Sequence, residues 1–254
     1  MRVVLIHGFA GFVEVPIIGQ YFRGVKEHLL AKFEDLEVLT PRTDPFGTTA
    51  ERARELSAAI PDDGEKAHLI GHSAGGLDAR FLVASKGLKR SASVATITTI
   101  STPHQGCIIA DLMTKLTPGN IMLVPHLTHF SAVVGTFTTT FMQKFNETIS
   151  DSPDVQYSSY AGITGFAARG ALDPAFAVSY PLILANEGPN DGLVSVKSAK
   201  WGTFKEELPA DHVEEVGMHW SATGRVLDAV GLTAFNHLQF FEKLVADLGA
   251  KRRA

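Results

Sequence analysis

A mostly parallel β-sheet with helices on both faces is the fold this sequence predicts, and three observations predict it. Apolar or β-branched runs alternate with helix-spaced apolar residues along most of the chain, which is the rhythm of strand–helix units. The first run, Val3-Val4-Leu5-Ile6-His7, is apolar without alternation, as in a central strand covered on both faces. The segment Gly71-His72-Ser73-Ala74-Gly75 stands between the apolar run Ala67-His68-Leu69-Ile70 and the helix-spaced stretch that opens with Gly76-Leu77-Asp78-Ala79-Arg80. That junction reads as strand, tight turn, helix.

The elements follow in order. Residues 3–7 form the first strand and residues 21–33 a helix. Residues 36–40 form a second strand, ended by Pro41. Residues 48–60 are helical, and Pro61-Asp62-Asp63-Gly64 stops them. After the Ser73 turn and its helix, the β-branched, threonine-rich residues 94–100 form a strand. The rhythm breaks over residues 106–149, where Ile121-Met122-Leu123-Val124-Pro125, Phe130, Val133, Val134 and Phe137 occur with few charges. This stretch reads as apolar helical material inserted between two core strands, a lid or cap. Residues 155–163 form the next strand. Residues 233–248 carry a helical apolar stripe (Phe235, Leu238, Phe241, Leu244, Val245, Leu248) that packs on the sheet.

At 254 residues and 45% hydrophobic content, residues 1–254 form a single domain with ample core. A net charge of −4 gives no reason to expect nucleic acid as a partner. The single cysteine, Cys107, forms no internal disulfide, which suits a reducing compartment. No run of about eighteen apolar residues marks a membrane span, and no leader precedes the first strand. A cytoplasmic location is therefore expected, with a trimmed secreted form as the alternative.

The chemistry centres on Ser73. A serine hydroxyl is a poor nucleophile until a base takes its proton, and the base is usually a histidine held by a carboxylate. A Gly-x-Ser-x-Gly turn between strand and helix is the nucleophile elbow of the α/β-hydrolase fold. There the glycines let the chain reverse sharply, and the helix behind the serine favours developing negative charge. In that fold the triad runs Ser, then acid, then His. The loop Asn186-Glu187-Gly188-Pro189-Asn190-Asp191-Gly192 offers Asp191 as acid and Glu187 as substitute, although Asn-Asp-Gly is also ordinary turn chemistry. Of the ten histidines, His212, His219 and His237 follow the acid. His212 lies in a polar loop and is the first choice as base, with His219 second and His237 structural. His28 belongs to a surface helix, and His126 and His129 to the insert. His7 and His72 flank glycine turns and shape them, and His104 follows a strand end near the cleft. Two backbone N–H groups are needed for an oxyanion. Ala74 supplies one, and Phe9 in the loop His7-Gly8-Phe9-Ala10-Gly11 the other.

With these residues in place, the chain resembles the true lipases of bacterial family I, the Pseudomonas, Burkholderia and Proteus type, and their intracellular relatives. The resemblance rests on His7-Gly8-Phe9-Ala10-Gly11-Phe12, on Gly71-His72-Ser73-Ala74-Gly75-Gly76-Leu77-Asp78-Ala79-Arg80 and on Thr99-Ile100-Ser101-Thr102-Pro103-His104-Gln105-Gly106. Its most specific pieces are Asn190-Asp191-Gly192-Leu193-Val194 and Asp211-His212-Val213-Glu214-Glu215-Val216. It implies hydrolysis of acylglycerols or similar carboxylic esters, with Asp191 and His212 as acid and base and the apolar insert as a lid over an acyl cleft. It also implies transient contact with a lipid surface. No cofactor is required for that chemistry. A structural calcium near the histidine loop is implied too, held by Asp173 in Leu172-Asp173-Pro174 and by Glu214, where the family has aspartate. Two other readings use the same fold: an acyltransferase or thioesterase with the same triad, and a catalytically silent binding module.

Overall fold

The computed structural model describes residues 1–9, 14–15, 19–85, 93–116, 125–165, 172–222, 225–226 and 235–253. Its strands are β1 (Arg2–Ile6), β2 (Glu14–Val15), β3 (Gly19–Gln20), β4 (Glu37–Leu39), β5 (Ala67–His72), β6 (Val94–Ile100), β7 (Gln156–Gly162) and β8 (Thr203–Leu208). Six of them form one sheet in the order β4-β1-β5-β6-β7-β8, and every pairing is parallel. β2 and β3 pair separately as a short antiparallel ribbon.

The helices are α1 (Val25–Lys32), α2 (Thr49–Ala59), α3 (Ala74–Ala84), α4 (Ile108–Leu116), α5 (Pro125–Gly135), α6 (Thr139–Thr148), α7 (Ser179–Glu187), α8 (Val196–Ala199) and α9 (His237–Asp247). Side chains of a strand alternate between faces, and β1 sorts accordingly. Val3 and Leu5 pack with Val25 and Leu29 of α1 and with Phe241 and Leu244 of α9. Val4 and Ile6 pack on the other face with Ala53 and Leu56 of α2 and with Ala79 and Leu82 of α3. Both faces of β1 are thus buried, as its unbroken apolar run requires.

The strand order reverses direction beside β1. The chain leaves β1 for β4 on one side, then returns across to β5 and proceeds outward to β8. Right-handed crossovers place α1 on one face and α2 and α3 on the other. Such a reversal opens a crevice at the carboxyl ends of the two diverging strands, the usual place for a ligand in an open α/β sheet. The carboxyl end of β1 leads into His7-Gly8-Phe9, and that of β5 leads into Ser73.

Element boundaries differ from the sequence reading at the starts of the first and last helices, the last beginning at His237 after its cap at Asn236, and α7, α8 and β8 had no counterpart in that reading. The first helix starts at Val25 rather than at 21, because Phe22 has φ 55° and Gly24, at its N-terminal cap, has φ 67°. Phe22 packs edge-on against Phe241 in the core. Residues 49–59 begin on a reciprocal capping pair: Thr48 Oγ1 accepts the Glu51 N–H, and Glu51 Oε2 accepts the Thr48 N–H. The insert is helical as expected, carried by α4, α5 and α6. Residues 10–12 of the loop after β1, residues 121–124 of the insert and residues 233–234 of the last helical stretch lie outside the described residues. So does the side chain of His126. Among the described residues, no helix is long and apolar enough to cross a membrane.

Candidate functional site

The turn at Ser73 explains its glycines. Ser73 has φ 55° and ψ −130°, a backbone state that a residue with a side chain adopts only under constraint. Its N–H donates to the Ile100 carbonyl at 2.9 Å, fixing the turn to β6. A Cβ on Gly71 would lie 2.5 Å from the Gly76 nitrogen, and one on Gly75 would press on the Ile6 and His7 carbonyls. Neither position tolerates a methyl group. The serine is left at the start of α3, where the first helical N–H groups have no partner within the helix.

Two further loops converge on it. Asp191 is fully buried in the turn after α7. Its Oδ1 accepts the N–H groups of Leu193 and Val194 at 2.8 and 2.7 Å, and its Oδ2 meets His212 Nδ1 at 2.7 Å. A carboxylate accepts, so Nδ1–H donates and Nε2 is left as the basic nitrogen. The backbone repeats the link, since His212 N–H donates to the Asp191 carbonyl at 2.9 Å. Ser73, His212, Phe9 and Ala74 line one cavity of about 450 Å³, whose remaining wall is mostly apolar. That wall includes Met113, Phe130 and Val134 of the insert, with Leu193, Met218 and Trp220 opposite. Phe9 sits in an aromatic cluster with Phe46, Phe130 and Phe137, at centroid distances of 5.5–5.7 Å.

The loop carrying Phe9 is braced from behind by a buried ion pair. Arg52 Nε donates to Asp78 Oδ2 at 2.8 Å, Nη2 to the His7 carbonyl at 2.5 Å, and Nη1 to the Asp44 carbonyl at 2.9 Å. Burial, offset in part by Arg52, pushes Asp78 up to about 6. His7 itself bonds the Gly8 carbonyl and the Thr43 hydroxyl. Burial, with Arg52 nearby, lowers it to about 4, so it is neutral at pH 7. His7 thus bonds the backbone of the glycine turn it flanks.

The other candidates fall elsewhere. Glu187 ends α7, and Asp191 rather than Glu187 meets the histidine. His219 is buried, and its carbonyl accepts from Arg225. His237 donates to the Arg23 carbonyl, His129 to the Phe46 carbonyl, and His28 meets Glu242. His104 lies behind α3 rather than on the cavity wall. It is fully buried, bonded to Thr99 and Arg80 and stacked on Trp201. Burial and the Arg80 charge hold it well below the ordinary histidine range.

Sequence reasoning passed over two residues beside Ser73 and His212. Tyr21 lines the cavity and bonds His72. Glu215, fully buried, bonds both His72 and Ser101. Burial, with Asp191 next in effect, pushes Glu215 well above the ordinary carboxylate range, and burial with His212 nearby holds His72 well below its own. The motif held Glu215 as a bare letter, and only the fold brings Tyr21 to it. Among the described residues, His72, His212 and Glu215 form the cluster whose ligand-type atoms lie within 4.8 Å of one another. His72 and Glu215 are hydrogen-bonded, and the His212 ring lies 4.6 Å from that of His72.

The two residues expected at a calcium site lie on either side of Asp211. Asp173 N–H donates to Asp211 Oδ2 at 2.8 Å, and Asp211 N–H donates to Glu214 Oε2 at 3.3 Å. Asp173 also accepts the Ala175 and Ser221 N–H groups, one on each oxygen. All three acids are buried, and burial together with Asp173 pushes Asp211 up to about 6.

No protein-family model matches the chain. It is 30% identical over 250 residues to triacylglycerol lipase 2 of Saccharomyces cerevisiae, covering 91% of this chain and 74% of that protein. The chain belongs to the triacylglycerol lipase family. A second lipase of the family, from Vibrio cholerae, is 24% identical over 84% of this chain and 78% of its own length. Among solved structures, a metagenomic carboxyl esterase superposes with a TM-score of 0.78 at 19% identity, covering 98% of this chain and 75% of its own. The lipase fold therefore extends over nearly the whole chain, with the Ser73 turn at the carboxyl end of β5.

Proposed function

We propose that this lipase-family chain hydrolyses carboxylic esters of lipid type, acylglycerols or similar molecules, through an acyl-enzyme on Ser73. The observation that carries the reading is the Asp191–His212 pair on the wall of an apolar cavity that also holds Ser73. Ser73 Oγ attacks the ester carbonyl while His212 Nε2 takes its proton. Asp191 fixes the tautomer and stabilises the imidazolium. The N–H groups of Phe9 and Ala74 receive the oxyanion. His212 then protonates the leaving alcohol, and water releases the acid by the same route.

The insert supports a lipid substrate. Met113, Leu116, Phe130 and Phe141 are at least a third exposed on α4, α5 and α6, and Leu182 and Leu184 are exposed on α7, which packs against α4. Such an apolar rim around the cavity suits a lid that opens where it meets a lipid surface. An acyltransferase or thioesterase would use the same groups, and product analysis with competing alcohols and thiols separates them.

Ser73→Ala is expected to abolish hydrolysis of p-nitrophenyl esters at every chain length from acetyl to palmitoyl. The same substitution is expected to abolish labelling by a fluorophosphonate. A folded wild-type protein that takes no label would refute the reading and favour a silent binding module.

A calcium ion is a separate part of the proposal. Asp173 and Glu214, with Asp211 between them, are the residues that would hold it. Three buried carboxylates stand close together, burial and, after it, the Asp173 charge raise Asp211, and a divalent cation with oxygen ligands would neutralise such a group. Its contribution would be structural, bracing the loop that carries His212.

A further inference from the structure

Two peptide groups join His7, Gly8 and Phe9, and three of their four polar atoms are held by side chains. The His7 carbonyl accepts from Arg52 Nη2, and the Gly8 N–H donates to the Tyr21 hydroxyl at 3.0 Å. The Gly8 carbonyl accepts from His7 Nδ1 at 3.0 Å. Among the described residues, nothing accepts the fourth, the Phe9 N–H. A Cβ on Gly8 would lie 2.7 Å from Ser73 Cβ and 3.1 Å from its Oγ. The Gly8–Phe9 peptide therefore starts in contact with the nucleophile.

The partners of the His7 ring fix its hydrogens. A carbonyl only accepts, so Nδ1 carries the hydrogen and donates to Gly8. A backbone N–H only donates, and that of Thr43 points at Nε2 from 3.3 Å, so Nε2 keeps its lone pair, with the Thr43 hydroxyl 3.0 Å away. The ring is buried, so this neutral form is locked in place. In a trans peptide the carbonyl and the N–H point in opposite directions across one plane. Holding the Gly8 carbonyl towards the imidazole thus also sets the direction of the Phe9 N–H. Gly8, lacking a Cβ, would offer little resistance of its own to a turn of that plane.

We infer that His7 is a positioning residue of this site: its Nδ1–H, by holding the Gly8 carbonyl, aims the Phe9 N–H at the oxyanion formed on Ser73. The inference rests on the ester-hydrolase reading above, in which Phe9 and Ala74 receive that oxyanion. Without the bond the peptide turns, and the N–H meets the transition state only part of the time.

The test uses the full chain and p-nitrophenyl butyrate, and compares His7→Leu with His7→Asn. Both side chains branch at Cγ as the imidazole does, and both give up Thr43. Only the Asn amide can donate to the Gly8 carbonyl from the place of Nδ1. His7→Leu is expected to lower kcat about 10- to 100-fold with KM changed little, a smaller loss than deleting an oxyanion donor outright. His7→Asn is expected to keep kcat about tenfold above His7→Leu. A trifluoromethyl ketone, whose adduct on Ser73 carries the oxyanion, should bind His7→Leu more weakly by the factor lost from kcat/KM. Two variants within twofold of each other in kcat would overturn the inference, because a histidine needed only for packing or for Thr43 is missed equally in both. So would a ketone affinity that stays constant while kcat falls. Should His7→Leu not fold, His7→Gln replaces it: its longer amide reaches towards Thr43 and not the Gly8 carbonyl, and its kcat should fall about tenfold below that of His7→Asn. A wild-type protein that neither hydrolyses the ester nor takes a fluorophosphonate label would instead sink the underlying reading.

Discussion

Ser73 is held in its strained turn by what surrounds it: Gly71 beneath Gly76, Gly75 beneath β1, and a hydrogen bond to Ile100. Ser73 and Asp191 were legible as candidates because each sits in a turn whose chemistry demands particular neighbours. Glycines frame Ser73 for steric reasons, and Asn190-Asp191-Gly192 is the tight turn that lets Asp191 collect two amide donors. Tyr21 was not legible, since an isolated tyrosine before a helix carries no local signature and its hydroxyl's partners, Gly8 and His72, lie 13 and 51 residues away. The setting of His104 was not legible for the same reason: proximity to a strand end is local, but whether a ring faces the cleft or Trp201 is decided by packing. One residue-scale prediction follows from the Asp191 geometry. Asp191→Asn should preserve the turn yet present an N–H or a weaker acceptor to Nδ1, favouring the wrong tautomer. The expected outcome is a fall in kcat of roughly 10³- to 10⁴-fold with KM little changed, read by steady-state kinetics.

Among the elements, β6 was predicted with its observed ends because a β-branched run has few alternatives to a strand. The first helix was drawn from a start four residues too early, since apolar spacing does not reveal that Phe22 and Gly24 adopt positive φ. The insert was legible as helical and apolar, but its three helices, and which of their residues face the cavity, follow from the fold. The histidine loop makes the prediction at this scale. If calcium ties Asp173 to Glu214, chelation should lower the melting temperature, and added calcium should restore it. At a free concentration of 100 times its Kd the ion would contribute about 2.7 kcal/mol. A melting temperature and an activity both indifferent to chelator would remove calcium from the account.

For the molecule as a whole, buried ionisable groups set the response to acid. His7, His72 and His104 are buried and neutral, all with lowered proton affinity. In the unfolded chain such residues protonate near pH 6.5, so the unfolded state binds more protons as pH falls below that value. Their contribution is present in full above about pH 6.5 and is lost as pH falls towards the folded values, about 4 for His7. Buried carboxylates oppose this trend: Asp78 and Asp211, raised to about 6, and Glu215 favour the folded state as pH falls. A single substitution isolates one term. His104→Gln can still bond Thr99 and Arg80, and the stability gap between it and wild type should narrow between pH 6.5 and 4.5 in urea titrations. An unchanged gap would mean that His104 protonates as readily in the folded protein as in the unfolded chain.

The double link between Asp191 and His212, once through side chains and once through backbone, leaves the acid and the base no separate freedom. They behave as a single part mounted against Ser73, which is anchored to β5 and β6. Only one separation in the machinery is then adjustable, that between imidazole and serine. Any perturbation of the outer loops, whether by heat, solvent or a neighbouring surface, would express itself as a change along that single coordinate.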